Sequence, residues 1–245
     1  TYTNDKLSLL DYITILSDPT IKVFISADGS TKNTLASHAF TIYCRTSHVP
    51  FPSNFHKKYV ILTQGLGPTD GHDVPPHRAE ITAALTALSF LHHFSTRHSF
   101  TLSGPLLISS NCQSAINDME HWTNPSTTYL PIDTLDSDIL HELRHQRLLL
   151  PNTTLRFSTT PSHPEKNIPR KDWSLKQTMN YITNRHAKTM WITPLTDLSI
   201  LPTSSFPESH HFPINSPHHH HLFLTTLLID YIITLKPDHT TAISA

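Results

Sequence analysis

Residues 104–110, GPLLISS, form an apolar run in which polar and apolar positions do not alternate. A strand with one face in water alternates, whereas one that is apolar throughout is covered on both faces, the condition of a strand reached through helical crossovers. The run is too short for a helix, and CQSAINDMEHW after it returns to helical spacing. This part of the chain is therefore committed to a layered α/β arrangement.

The flanking segments supply the layers. Residues 7–16 carry apolar side chains at helical spacing, and Pro19 closes that lead-in helix. IKVFISADGS reads as a first strand stopped by Gly29, followed by ASHAFTIYCR and KKYVILTQG, three β-forming runs whose short connections predict an antiparallel meander. From Pro76 to about Phe94 the period changes to 3.6, with Ile81, Leu85, Leu88 and Leu91 on one face and Pro75-Pro76 as the entry. Beyond 110 come helices in CQSAINDMEHW and from about 137 to 150, a strand at TTLRFSTTP, and a helix in DWSLKQTMNYITNRHAKTMW, with Asp172 as its expected cap. The order β-β-β-α-β-α-α-β-α predicts one mixed five-stranded sheet flanked by helices, its first three strands antiparallel and its later ones parallel. The expected organisation is a lead-in helix at 1–20, the α/β domain at 21–192, and a Pro/Ser/His-rich tail with a C-terminal helix at 193–245.

A formal net charge of −1, from 18 Lys+Arg against 19 Asp+Glu, excludes a nucleic-acid grip made by bulk charge. Any basic surface has to be local. Cys44 and Cys112 are too few for a disulfide framework or a four-thiolate zinc site, so a reducing, intracellular setting in cytoplasm or nucleus is expected. The start at Thr1, without a basic or apolar leader, suggests a piece of a longer polypeptide with no secretory signal. Residues 222–235 are apolar but short and contain Asp230, so a packed helix is expected and not a membrane span. The histidines at 218–221, with His210 and His211, sit among Pro and Ser and read as a polar loop.

Polar residues gather where the strands end. Asp28 closes the first strand, Glu80 lies in the first turn of the long helix, Asn111 follows the buried strand, and Asn184 lies on the last helix. First and fourth strands would be neighbours, which brings positions 28 and 111 to adjacent strand ends, where α/β sheets bind ligands. Each residue also has a plainer account. Asp28-Gly29-Ser30 is a common turn, Glu80 suits a helix dipole, Asn111 suits an N-cap, and Asn184 suits a solvated helix face.

Taken together, FISADGS, PPHRAEITAALTALSFL, LLISSNCQSAI, STTPSHPEKN and LKQTMNYITNRHAK resemble, in order and spacing, the motifs of type 1 ribonuclease H as found at the end of retroelement reverse transcriptases. The resemblance covers roughly residues 21–190 and implies the ribonuclease H-like fold. It implies hydrolysis of the RNA strand of an RNA-DNA hybrid with two Mg²⁺ (or Mn²⁺) ions, held by about four carboxylates because two divalent ions about 4 Å apart repel strongly. Asp28 and Glu80 match two of those carboxylates, and His163 matches the family's mobile histidine. Asn111 and Asn184 stand where the family has Asp, so the metal positions would be Asp28, Glu80, Asn111 and Asn184 with weakened binding and impaired hydrolysis. Few glycines, 5 in 245 residues, suit a coding strand poor in guanine, and Asp and Asn codons differ by G versus A. Ser30, Arg144, Arg147, Lys166, Arg170 and Lys171 are the candidate nucleic-acid contacts. The implied partners are an RNA-DNA hybrid and the reverse transcriptase portion of a polyprotein, with no membrane. A catalytically inactive nucleic-acid-binding or scaffolding module is the alternative.

Overall fold

The structure is a computed structural model and describes residues 7–33, 35–45, 59–69, 74–127, 131, 134–166 and 168–189. The chain divides into units 1–188 and 189–245. Trp191, the histidine-rich tail and the expected C-terminal helix lie outside the described residues.

Helix α1 (Leu9–Ser17) is opened by a capping box in which Asp11 N–H donates to Ser8 Oγ and Ser8 N–H donates to Asp11 Oδ2. It ends at Asp18, ahead of Pro19. Its Ile15 and Leu16 are buried, and the Leu16 carbonyl accepts from Ser103 N–H at 3.1 Å, so the lead-in helix packs with the body of the domain. Strands β1 (Val23–Lys32), β2 (Leu35–Arg45) and β3 (Tyr59–Thr69) form the meander. After α2 (Pro76–Arg97), strand β4 (Gly104–Ser110) enters the sheet. Then follow α3 (Gln113–Thr123), α4 (Ser137–Leu148), β5 (Thr153–Thr159) and α5 (Leu175–Thr189). The order across the sheet is β3-β2-β1-β4-β5. β1 and β3 are antiparallel to β2, while β4 is parallel to β1 and β5. The expected mixed sheet is what forms.

Side-chain alternation divides β1 between two helical layers. Phe24 and Tyr43 stack and enclose Met179 of α5, and Thr183 Oγ1 of α5 donates to Thr41 Oγ1 at 2.9 Å. On the other face α2 buries Ile81, Ala84, Leu88 and Leu91, its Phe90 meets Phe40, and its Thr86 hydroxyl lies 3.2 Å from Nε2 of the buried His38. Asp28 shares the α5 face with Phe24, one strand repeat beyond Ser26.

Several local expectations are corrected. β1 does not stop at Gly29. It stays paired to β2 through Lys32, and only its parallel partner β4 ends early, the last register pair being Ser26 with Ser109. Asp28 thus sits where β1 loses one neighbour, in extended strand and not in a turn. Gly29 serves close approach: a Cβ there would meet Ala79 Cβ at 2.6 Å and Glu80 N at 2.9 Å, so α2 rests directly on the backbone of β1. With Pro76 as the first helical residue, Glu80 lies past the first turn of α2, which weakens its dipole account. Cys112, not Asn111, is the N-cap of α3. Asp172 belongs to a short 3-10 turn, Arg170–Asp172, while α5 is capped by Ser174 and Gln177, whose side chains reach each other's backbone N–H at 3.3 and 2.8 Å. Beside this turn the half-buried Trp173 packs against Tyr181, its indole N–H donating to the Ile168 carbonyl.

Candidate functional site

Four elements meet beyond the end of β4. Asp28 comes from β1 and is 1% exposed; Glu80 comes from α2 and is 3% exposed. From the end of β4, Ser110 Oγ donates to Glu80 Oε2 at 2.9 Å and accepts from Cys112 N–H at 3.0 Å. Next along, the half-buried Asn111 amide is directed at Asp28 Oδ2 at 3.5 Å, the long limit of a hydrogen bond. α5 supplies Asn184, within reach of Asp28, and Lys188, one turn further on the same helix face. The structure therefore brings Asp28, Glu80, Asn111 and Asn184 together.

Burial pushes the Asp28 carboxyl up to about 7, against Asn184, Lys188 and Glu80, which all favour its ionised form. Burial and then the Asp28 charge raise Glu80 well above the usual carboxylate range, against the Ser110 hydroxyl. Both acids therefore hold their protons to higher pH than free carboxylates do. Asp28 Oδ1 is buried and accepts no hydrogen bond.

This donor set does not fit a pair of divalent cations. Mg²⁺ is held by hard, charged oxygens, and two ions need several carboxylates. Here there are two carboxylates and two amides, and among the described residues no group of three or more His, Cys, Asp or Glu is arranged to hold a metal. Two other carboxylates, Asp118 and Glu165, are engaged elsewhere. Asp118 is engaged by His77 Nε2 at 2.9 Å, and Glu165 by His163 Nδ1 at 3.0 Å.

The remaining expected residues are dispersed. His163 (φ 50), just ahead of the 3-10 turn Pro164–Lys166, and Glu165 within it are exposed, and Lys188 is felt by Glu165 as well as by Asp28. Ser30 is in β1, its carbonyl 3.4 Å from Ser37 Oγ. Lys166 and Lys171 are exposed, and the Arg170 guanidinium lies 5.9 Å from the ring centres of both Trp173 and Tyr181. Arg144 is half-buried on α4, a helix packed on α2 and α3. Arg147 donates to the Leu150 carbonyl at 3.0 Å, so one of its nitrogens is spent closing its own helix.

Reading the sequence missed Ser110, Lys188 and a network at the base of α2. Lys188 was signalled by its four-residue spacing from Asn184. In the network His77 lies 2.9 Å from Asp118 of α3 and 2.9 Å from Asp136, and Arg78 makes paired contacts of 2.9 and 2.7 Å to Asp138 of α4 with a third of 3.0 Å to Asp136. The hydrogen bond to Asp136 leads the effects that raise the His77 pKa. Burial alone would raise Asp136, yet His77 and Arg78 hold it below the usual range. These pairs join residues 41 to 60 positions apart, which no local pattern encodes.

No protein-family model matches the sequence, and no curated protein matches it. Similar solved structures include LC11-RNase H1 in complex with an RNA/DNA hybrid, at 16% identity and TM-score 0.43, covering 70% of this chain and 99% of that one. The protease-reverse transcriptase of Prototype Foamy Virus is similar at 15% identity and TM-score 0.44, over 70% of this chain and 21% of that one. LC9-RNase H1, a type 1 RNase H with the type 2 active-site motif, is similar at 11% identity and TM-score 0.46, over 70% and 72%. The chain thus spans about a fifth of the viral protein. The strand order and directions make the fold ribonuclease H-like.

Proposed function

We propose that this chain is a ribonuclease H-like domain of a retroelement reverse transcriptase that binds an RNA-DNA hybrid and has lost most or all hydrolytic activity. The observation that carries the reading is the meeting of Asp28, Glu80, Asn111 and Asn184 at one end of the sheet. Those are the positions that the motif resemblance assigns to the metal carboxylates, and two of them are amides.

Binding follows from shape and local charge. Hybrid recognition in such a domain is directed at backbone phosphates and 2′-hydroxyls, for which base sequence is irrelevant. Lys166, Arg170 and Lys171 provide exposed cations close in sequence to His163. An amide oxygen can ligate Mg²⁺ but brings no charge, so the divalent ions of the family's reaction, which would activate water and stabilise the leaving oxygen, are poorly held.

The test pairs two assays on the full chain. Fluorescence anisotropy with labelled hybrid, duplex DNA and duplex RNA should show preference for the hybrid, with affinity falling as salt rises. Cleavage of the hybrid in Mg²⁺ and in Mn²⁺ should be absent or very slow for the native chain and appear in the Asn111→Asp, Asn184→Asp double variant. Equal binding to all three duplexes would end the hybrid-binding reading, and brisk cleavage by the native chain would end the inactive one.

A further inference from the structure

The misfit between this donor set and divalent cations has a structural counterpart: the cost of burying the carboxylate pair is partly offset from within the chain. Ser110 Oγ donates to Glu80 Oε2, Asn111 Nδ2 is directed at Asp28 Oδ2, and the Asn184 amide and Lys188 ammonium approach Asp28 from α5. An amide can donate two hydrogen bonds to a carboxylate; an ionised Asp can donate none and adds repulsion. Asn at 111 and 184 is therefore the residue that suits two nearly inaccessible carboxylates without a metal, and Asp is the residue that requires one.

We propose that Asp28 and Glu80 form a metal-independent polar latch, in which the Asn111 and Asn184 amides, with Lys188, occupy the role of divalent cations and tie β1, α2, β4 and α5 together. The latch concerns how the fold is held and does not depend on hybrid binding. It makes the two amides supports of the folded state and not passive remnants. Reverting either one to Asp adds an acceptor with no donor to a site that already holds two acids.

The test is thermal unfolding of the full chain, followed by circular dichroism in EDTA, in Mg²⁺ and in Mn²⁺. The native chain should unfold at the same temperature in all three. Asn111→Asp and Asn184→Asp should each lower the midpoint in EDTA by about 5 °C or more, with part of the loss recovered in Mn²⁺. Because those variants can fail to fold, Mn²⁺ titration of the native chain by electron paramagnetic resonance is a second readout, expected to show no saturable site at millimolar metal. A native midpoint that climbs with either metal, saturable Mn²⁺ binding, or Asp variants as stable in EDTA as the native chain would each overturn the latch. Hybrid affinity enters none of these readouts, so failure here is distinguishable from failure of the hybrid-binding reading.

Discussion

Replacing Asp28 with Asn should stabilise the domain, and by an amount that grows with pH. The Asp28 carboxyl moves from an ordinary 3.8 to about 7 on folding. Between those values the folded chain holds a proton that the unfolded chain has released, so stability falls as pH rises. At about 1.4 kcal/mol per unit, the burden is about 2 kcal/mol near pH 5 and about 4 kcal/mol near pH 8, where both states are mostly ionised. Asn keeps the shape and an acceptor for the Asn111 amide but has no such pH term. Asp28→Asn should therefore raise the melting temperature near pH 8 by about 8–16 °C and near pH 5 by only a few degrees, on the scale of about 2–4 °C per kcal/mol for a domain of this size. Calorimetry of both proteins across that range measures the difference directly. A gain that does not vary with pH, or a loss at both ends, would refute the assignment of the burden to a buried, ionising Asp28.

Three further perturbations probe the scaffold. His77→Gln should be most damaging below the ordinary imidazole value of about 6.5, because a histidine whose folded pKa is raised contributes stability that is lost as pH rises through the folded value; urea unfolding of native and variant chains from pH 5.5 upward should show the gap narrowing, and a constant gap would count against a charged His77. Gly29→Ala should destabilise by about 1–3 kcal/mol, since the new methyl meets Ala79 and the backbone of Glu80; an unchanged denaturation midpoint would mean that α2 is free to retreat. Arg78→Lys should cost about 1 kcal/mol, because a single ammonium cannot reproduce the paired contact to the partly exposed Asp138, and a double-mutant cycle with Asp138→Asn would show whether that loss comes from this pair.

Periodicity made the layers readable. The unbroken apolar run of β4 and the 3.6-residue repeat of α2 are signals each element must emit to be buried as it is, and from them the mixed sheet followed. The errors have a common origin in residues that suit more than one local role. Gly29 looks like a strand stop, yet it is glycine because α2 presses on β1. Asn111 and Asp172 are both good caps, but Cys112 and Ser174 hold those places, and the S-x-x-Q spacing of Ser174 and Gln177 was present in the sequence. Strand order alone brought positions 28 and 111 together in advance, while the assignment of all four residues to one site came from the motif resemblance. The contacts that fix the site's surroundings, Ser110 on Glu80 and His77 between Asp118 and Asp136, depend on how separate elements dock.

The position of α5 gives the domain a timetable. Sheet order β3-β2-β1-β4-β5 means that a chain emerging from the ribosome can already pair all five strands and bring α2 against Gly29 while residues 175–189 are still enclosed. Asp28 and Glu80 then stand side by side with their α5 flank open to water. Asn184 and Lys188 are synthesised last, so Ser110 and Asn111 can reach the two acids first, and the share that α5 contributes arrives only when translation of the domain is nearly over.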